Sequence, residues 1–176
     1  MNMKCAFFAL VSASAMVVSA AGTSTPSGFT DDMDAALKDA KASGRLVYAC
    51  FSGSDWCGWC KKLDKEVFSK PGFVDSVTND YVLVYVDSPS NKELLSEKAQ
   101  KANPKLVEKY GIHGFPTALI LDADGKEIAK TGYRRGGSEK YVKHLKALKK
   151  NGAEIKKLRE EIDKLEHRVE VLENEE

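Results

Sequence analysis

Residues 46–63 read LVYACFSGSDWCGWCKKL, and the order of patterns in this stretch decides how the rest of the chain is interpreted. Its first six residues form an apolar run with the composition of a buried strand. A polar loop follows, and Cys57 and Cys60 then stand at the predicted start of a helix that carries Lys61 and Leu63. The stretch therefore predicts a strand–loop–helix unit with two thiols at its turn.

The remaining patterns extend this unit into an α/β domain. Apolar runs at residues 81–86 and 117–121 predict two further buried strands. Residues 126–131 follow a turn at residues 122–125 and predict an antiparallel edge strand. Helical spacing precedes, separates and follows these strands, so the predicted order is α, β, α, β, α, β, β, α. This order favours a central mixed sheet with helices on both faces.

Several helix boundaries are predicted from residues that cap or interrupt helices. Thr30 is the predicted N-cap of the first helix. Pro104 divides a polar helical region into two predicted pieces. Ser138 is the predicted cap of a later helix, which we expect to end before Asn151-Gly152.

The two close cysteines have the setting that a redox site needs. A helix N-terminus presents free backbone N–H groups and the positive end of the helix dipole, and both favour thiolate over thiol. Lys61 and Lys62 add positive charge nearby. We assign Cys57 as the nucleophile and Cys60 as the more buried partner that resolves a mixed disulfide.

Other interpretations of the CxxC pair are half of a zinc site and a purely structural disulfide. A zinc site needs two more ligands, whereas Cys50 lies inside a strand run and His113 is the only histidine near a predicted loop of the sheet domain. A disulfide that closes so small a loop would constrain the unfolded chain little. We therefore expect neither a metal ion nor a cofactor.

Two tryptophans, Trp56 and Trp59, flank the thiols. We expect both indoles to shield the site and to contact substrate. Ordinary packing is the alternative role for both side chains.

Residues 1–21 have the pattern of a cleaved signal peptide. Lys4 supplies positive charge, an apolar segment follows, and small residues stand near Ala20. A transmembrane anchor is the alternative, but the apolar run is shorter than the roughly 20 residues that a span needs. We expect an exported, periplasmic or secreted protein, with a flexible lead-in at residues 22–29 and the folded domain at residues 30–151.

Charge and cysteine content limit the function further. The chain has 27 Lys and Arg against 26 Asp and Glu, so its net charge of +1 gives no support for a nucleic-acid partner. Loss of Cys5 with the signal peptide leaves Cys50 and the CxxC pair. One pair with one leftover thiol favours a redox pair and a buried thiol over a framework of structural disulfides.

Residues 152–176 form a predicted helix with a heptad pattern. Ile155, Ile162 and Val169 fall at position a, and Leu158, Leu165 and Leu172 fall at position d. This choice of side chains favours a parallel two-stranded coiled coil. Between copies, Glu154 with Arg159 and Arg168 with Glu173 would attract, and Glu161 with Glu166 would repel. We predict a homodimer through residues 154–173, and a lone or frayed helix is the alternative.

Together these motifs resemble the thioredoxin superfamily. The resemblance covers residues 30–150 and rests on Trp56-Cys57-Gly58-Trp59-Cys60-Lys61 and Gly114-Phe115-Pro116-Thr117, with Asp124-Gly125 and Gly132 following in the family's order. The chain is similar in particular to exported thioredoxin-like proteins and to the C-terminal domain of DsbD. The resemblance implies a thioredoxin fold and thiol–disulfide exchange on protein cysteines.

The resemblance also implies roles for a second loop. It implies a cis bond between Phe115 and Pro116, beside the CxxC pair, and a substrate-binding role for both residues through strand-like pairing with a peptide. An ordinary turn proline at the start of a strand is the alternative.

Two departures from the family's pattern limit what can be carried over. Cys50 stands where thioredoxin has a buried aspartate that assists the second cysteine. Glu66 or Asp55 could substitute for it, and an ordinary solvated helix residue is the alternative for Glu66. The dipeptide between the cysteines is Gly-Trp, so the family's reduction potential does not transfer.

The sequence thus predicts an exported thiol–disulfide oxidoreductase, either a protein-disulfide reductase or an isomerase. Its partners would be cysteine-containing protein substrates and a thiol or membrane electron donor or acceptor. The sequence leaves the direction of electron flow open. A non-catalytic peptide-binding scaffold, clustered by its coiled coil, is the alternative function.

Overall fold

The computed structural model describes residues 24–173, so the predicted signal peptide at residues 1–21 lies outside the described residues. The predicted order of elements is confirmed, with one further short helix, α3, between α2 and β2. The bounds are α1 Met33–Ser43, β1 Leu46–Ser52, α2 Gly58–Leu63, α3 Phe73–Val77, β2 Tyr81–Asp87, α4 Glu97–Lys109, β3 Thr117–Leu121, β4 Glu127–Gly132 and α5 Gly137–Glu173. Helix α2 continues as a π-helical turn, Asp64–Phe68, and a 3-10 helix, Lys92–Leu94, precedes α4.

The four strands form one mixed sheet in the order β2–β1–β3–β4. Strand β1 pairs in parallel with β2 and antiparallel with β3, and β3 pairs antiparallel with β4. All seven residues of β2 are buried, as its continuous apolar run predicts. The predicted mixed sheet is therefore confirmed, and β1 lies at its interior with a partner on each side.

Helices cover both faces of the sheet. On one face, Tyr48 of β1 packs with Leu63, Phe73 and Leu145 from α2, α3 and α5. On the other face, alternate β1 residues pack against α1 and the partly buried apolar side of α4. Successive residues of a strand point to opposite faces of the sheet. Strand β1, which leads to Cys57, therefore contributes side chains to the core on both faces.

Part of the predicted flexible lead-in packs against the domain instead. The Phe29 ring is partly buried and packs against the core, with its centre 4.9 Å from that of the Phe68 ring. Thr30 forms a parallel bridge to Val84, so the chain enters beside β2. The Ser24 hydroxyl donates a hydrogen bond to the Asp87 carboxylate. This segment of mostly small residues is held in place because one aromatic side chain packs against the core and one backbone bridge is formed.

Several of the predicted helix boundaries are wrong. Ser138 lies inside α5, which begins at Gly137, and does not cap it. The N-cap of α1 is Asp32, whose carboxylate accepts the N–H of Ala35, and not Thr30. Helix α4 continues through Pro104 as one helix. Proline removes only one N–H from the helix, and the side chain of Asn103 donates to the Asp87 carbonyl, which holds α4 against the end of β2.

Helix α5 also continues where a break was predicted at Asn151-Gly152. Gly152 is buried, and a Cβ atom at this position would lie 2.5 Å from the Cγ2 atom of Ile128. This glycine therefore permits a close approach of α5 to β4, and it does not end the helix. No helix within residues 24–173 combines the length and apolarity that crossing a bilayer requires.

Substituting alanine for Gly152 should destabilise the domain by about 1–2 kcal/mol, although alanine is the better helix former. The new methyl group would collide with Ile128. In an Ile128→Ala background the same change should raise stability, because the colliding methyl group is gone. Urea unfolding of the four proteins measures this coupling.

The matched control is Asn151→Ala, at an exposed position of the same helix. It should not lower the free energy of unfolding. If Gly152→Ala stabilised the otherwise unchanged protein, the close approach of α5 to β4 would not constrain this position.

Candidate functional site

The two cysteines of the CxxC pair form a disulfide at the junction between β1 and α2, with their Cα atoms 5.2 Å apart. Cys57 is the N-cap of α2, and its Sγ atom accepts the N–H of Cys60 at 3.2 Å. Cys57 is 6% exposed and Cys60 is 3% exposed. Both cysteines are thus largely buried in the disulfide state, and Cys57 is the slightly more exposed residue.

Trp56 and Phe115 meet beside the disulfide. Their rings pack edge to face with centres 5.6 Å apart, and the indole N–H donates to the Ser88 carbonyl at 2.9 Å. A Cβ atom at Gly53 would collide with the Trp56 ring, so this glycine leaves space for the indole. Half of the Trp56 side chain remains exposed, which gives the site an aromatic surface on this side.

Trp59 is half exposed on the other side of the site. Its ring lies 5.2 Å from that of Tyr133, and the Lys62 ammonium lies over both rings. The Tyr133 hydroxyl donates to Glu66 at 2.7 Å, and this contact raises the pKa of Tyr133. The sequence patterns did not identify Tyr133, because nothing in its surroundings shows that the chain before α5 returns to the CxxC helix.

The bond between Phe115 and Pro116 is cis, as the resemblance implies. Both residues are partly exposed and lie just before β3. A Cβ atom at Gly132 would lie 2.8 Å from the Pro116 carbonyl oxygen, so β4 approaches this loop closely at its glycine. The loop and the CxxC segment are joined through the contact between Trp56 and Phe115. The structure therefore brings all four predicted substrate-binding side chains to one end of the sheet.

Cys50 is a buried free thiol on β1, the strand that leads to the CxxC pair. Burial raises its pKa to about 12, because a thiolate would lose its hydration there. The Tyr48 hydroxyl beside it is hydrogen-bonded to the Tyr141 hydroxyl at 2.9 Å. Cys50 is therefore a neutral thiol at physiological pH, and it cannot act as the carboxylate that the family has on this strand.

A cavity of about 400 Å³ lies beside Cys60. Its lining includes Asp64, Ser54 and Tyr85, and the lead-in segment covers one side with Ser24 and Pro26. Asp64 stands one helical turn after Cys60, and its carboxylate accepts the Ser69 hydroxyl at 3.2 Å. The sequence spacing could have identified Asp64, since residues i and i+4 share one face of a helix.

Two other carboxylates near the site bind backbone groups. Asp55 accepts the N–H groups of Ser90 and Asn91, each at 2.9 Å, and these bonds lower its pKa. Asp87 is 1% exposed and accepts the N–H of Ser54, together with the hydroxyls of Ser54 and Ser24. Both residues fix the loop that precedes Cys57. Asp55, one of two predicted substitutes for the missing aspartate, has this structural task instead.

Glu66, the other predicted substitute, faces Tyr133 and Lys62. It is absent from the lining of the cavity beside Cys60. Within residues 24–173, no group of three or more His, Cys, Asp or Glu side chains could hold a metal ion.

The comparisons with known proteins agree with this fold. The family described as "Thioredoxin-like domain" matches residues 33–149. Disulfide bond reductase DsbH of Chlamydia pneumoniae is 33% identical over 112 residues, which cover 64% of this chain and 67% of that protein. DsbD of Pseudoalteromonas atlantica is 32% identical over 99 residues, which cover 56% of this chain but 15% of that much longer protein.

A solved structure described as "DsbH Oxidoreductase" superposes with a TM-score of 0.64 at 28% identity, covering 71% of this chain and 87% of that one. The chain therefore belongs to the thioredoxin-like domain family. Within that family it is similar to thiol–disulfide oxidoreductases of the DsbH and DsbD type.

The inertness of Cys50 can be tested by alkylation of the reduced, folded protein at pH 8. Its raised pKa and its burial predict that iodoacetamide leaves the Cys50 peptide unmodified while it labels the peptide of Cys57. In urea Cys50 should react fully, because the unfolded thiol regains an ordinary pKa. Peptide mass spectrometry measures both. Rapid native labelling of Cys50 would contradict the prediction.

Proposed function

We propose that this protein is an exported protein-disulfide reductase that acts through Cys57 and Cys60. The observation that carries the proposal is a CxxC disulfide at a helix N-terminus, with Cys57 as the N-cap. The 33% identity to a protein named disulfide bond reductase favours reduction as the direction. The predicted signal peptide supports export to the periplasm or beyond.

In the proposed reaction, the Cys57 thiolate attacks one sulfur of a substrate disulfide. A bond forms between Cys57 and that sulfur, and the other substrate sulfur leaves as a thiolate. Cys60 then loses its proton and attacks Cys57 Sγ, which releases the second substrate thiolate and closes the Cys57–Cys60 disulfide. The substrate gains two electrons, and a separate dithiol donor must return two electrons to the protein. Isomerisation would use the same first attack, followed by release without net electron transfer.

Substrate would bind along the aromatic surface around the disulfide. Trp56 and Phe115 form one side of this surface, and Trp59 with Tyr133 forms the other. The backbone at Pro116 would pair with an extended substrate segment. This arrangement suits unfolded or loosely folded protein segments with an accessible disulfide, since the contacts are apolar and to the main chain.

Asp64 would take the proton of Cys60. It lies one turn along from Cys60 and lines the same cavity, and Cys50 is a poor acceptor in the family's usual position. A carboxylate within reach of the resolving thiol, directly or through a water molecule, would raise the thiolate fraction of Cys60 when the mixed disulfide has formed. Asp55 and Asp87 are already engaged by backbone N–H groups.

Replacing each cysteine separately tests the assignment of roles. Cys57→Ser should abolish insulin reduction coupled to dithiothreitol, because the attacking sulfur is missing. Cys60→Ala should accumulate Cys57 mixed disulfides with cellular proteins, because the resolving sulfur is missing. Non-reducing gels with mass spectrometry would measure the trapped species.

Cys50→Ala is the matched control, since it removes the remaining thiol of the sheet domain. It should keep activity within about threefold and should trap nothing, because a neutral buried thiol does not exchange. Full activity of Cys57→Ser would refute the proposed reaction. An absence of trapped proteins with Cys60→Ala would instead favour the binding-scaffold alternative.

Asp64→Asn should slow the second step, and the size of the effect should depend on pH. Near pH 6.5 we expect resolution of a preformed Cys57 mixed disulfide to slow by roughly 100-fold, the lower end of the range for one general base. The defect should shrink as pH rises towards the ordinary thiol pKa, because hydroxide then deprotonates Cys60 without help. Stopped-flow release of a chromogenic thiol measures the rate.

Glu66→Gln is the matched control for Asp64→Asn, since this carboxylate lies two residues away but contacts Tyr133 and Lys62. Its pH profile should follow that of the unchanged protein. A pH-independent loss in Asp64→Asn would mean that this residue only maintains structure.

The proposed partners are therefore protein substrates with disulfides and a dithiol electron donor in the same compartment. Similarity to DsbD supports donors and acceptors that are themselves cysteine-bearing proteins. The donor would approach the same face, because Cys57 is the more exposed residue of the pair.

A further inference from the structure

The C-terminal part of helix α5 extends beyond the family's domain. The thioredoxin-like region ends at residue 149, whereas α5 continues to Glu173. The first turns of α5 are fixed in the core by Tyr141 and Leu145, which are 1% and 0% exposed. The domain therefore supplies the nucleus from which the rest of the helix propagates, and the extension does not bear the cost of helix initiation.

A stripe of large apolar side chains runs along this extension. We name it the apolar stripe, and its members are Ile155, Leu158, Ile162, Leu165, Val169 and Leu172. Their exposed fractions lie between 38% and 62%. Single exposed apolar residues are normal on a protein surface, but a contiguous stripe of six is typical of an interface. No part of the chain that the structure describes buries these side chains, each of which is more than a third exposed.

We propose that a second copy of this chain covers the apolar stripe in a parallel two-stranded coiled coil. The spacing of the stripe alternates three and four residues, which keeps it on one side of a supercoiled helix. β-Branched residues occupy position a and leucine occupies position d throughout, the combination that selects two parallel strands. In a parallel dimer of identical chains, each a or d side chain packs against the same layer of the other copy. This alternation of β-branched residues and leucine therefore suits a second copy of the chain, whereas binding to an unrelated helix would not require it.

Charge at the edges of the stripe supports the same partner and register. In a parallel dimer each g residue faces the e residue five positions later in the other copy. Of the three such pairs that the sequence assigns, two are attractive. The third pairs Glu161 with Glu166 and is repulsive. We call this repulsive contact the weak layer of the proposed dimer, and substitutions can change its charge.

The dimer leaves both redox sites accessible. Tyr133, which packs on Trp59, precedes the start of α5 at Gly137, so the CxxC site lies near the N-terminal end of this helix. The stripe begins 18 residues further along, about 27 Å at 1.5 Å per residue. Parallel pairing therefore places two open sites at the same end of one particle. The proposal does not depend on the proposed redox function.

Sedimentation equilibrium of the mature protein, purified after expression and export, tests the proposal. We expect a reversible monomer–dimer equilibrium at micromolar concentration. Ile162→Asp should raise the dissociation constant by on the order of 100-fold or more, because it places a charge in the centre of the seam. Val171→Asp is the matched control: Val171 is 44% exposed on the same helix but outside the stripe, so the constant should change by less than about threefold.

A charge cycle at the weak layer tests the parallel orientation. Glu161→Lys and Glu166→Lys should each tighten the dimer by about tenfold, because each turns two repulsive pairs into attractive ones. The double variant should return to within about threefold of the starting value, since lysine then faces lysine.

A monomer at every concentration would overturn the proposal, and so would an unchanged dissociation constant for Ile162→Asp. Additive effects in the double variant would exclude the parallel register, because g and e residues do not face each other in an antiparallel pair. Circular dichroism of each variant verifies that α5 remains helical.

Discussion

The pairing of β1 with a neighbour on each edge is the constraint on which the site depends. Because β2 and β3 both bind it, β1 ends at a fixed place, at Ser52. Asp87 at the end of β2 and Asp55 in the loop then bind backbone N–H groups around this end, so the chain is turned into α2 at Cys57. The thiol chemistry needs a sulfur at a helix N-terminus, and the sheet defines where that terminus lies.

Much of this could be predicted from the sequence, since the relevant signals are local or periodic. The strand runs, the CxxC spacing and the turn before β4 predict the sheet, the helix positions and the redox pair. Predictions based on a single breaking residue were less successful. Pro104 and Gly152 both lie inside continuous helices, because packing of α4 against β2 and of α5 against β4 outweighs the local preference. Tertiary contacts of this kind have no signature in a short window of sequence.

The surroundings of the disulfide were predicted only in part for the same reason. Trp56 and Trp59 could be selected as neighbours of the thiols, but their partners Phe115 and Tyr133 lie more than 50 residues away in the chain. The family resemblance predicted Phe115 as a site residue, but no sequence pattern predicted Tyr133. Likewise, the polar lead-in was interpreted as a linker although Ser24 forms part of the cavity beside Cys60.

Cys50 connects the packing of the core to the proposed chemistry. A buried carboxylate on β1 would lie among Tyr48 and the other apolar and aromatic side chains of this face, where its charge would be costly. A thiol fits the same space as a small apolar group and stays neutral, so the sheet loses no stability to an unpaired charge. In the proposed reaction, proton handling moves from the strand to a position that water can reach. Asp64 meets that condition, because it is only partly buried and its helix also carries the thiol whose proton must leave. In this arrangement, the rate at which Cys60 resolves the mixed disulfide depends on the residues of α2 and of its cavity. Strand β1 only holds α2 in position.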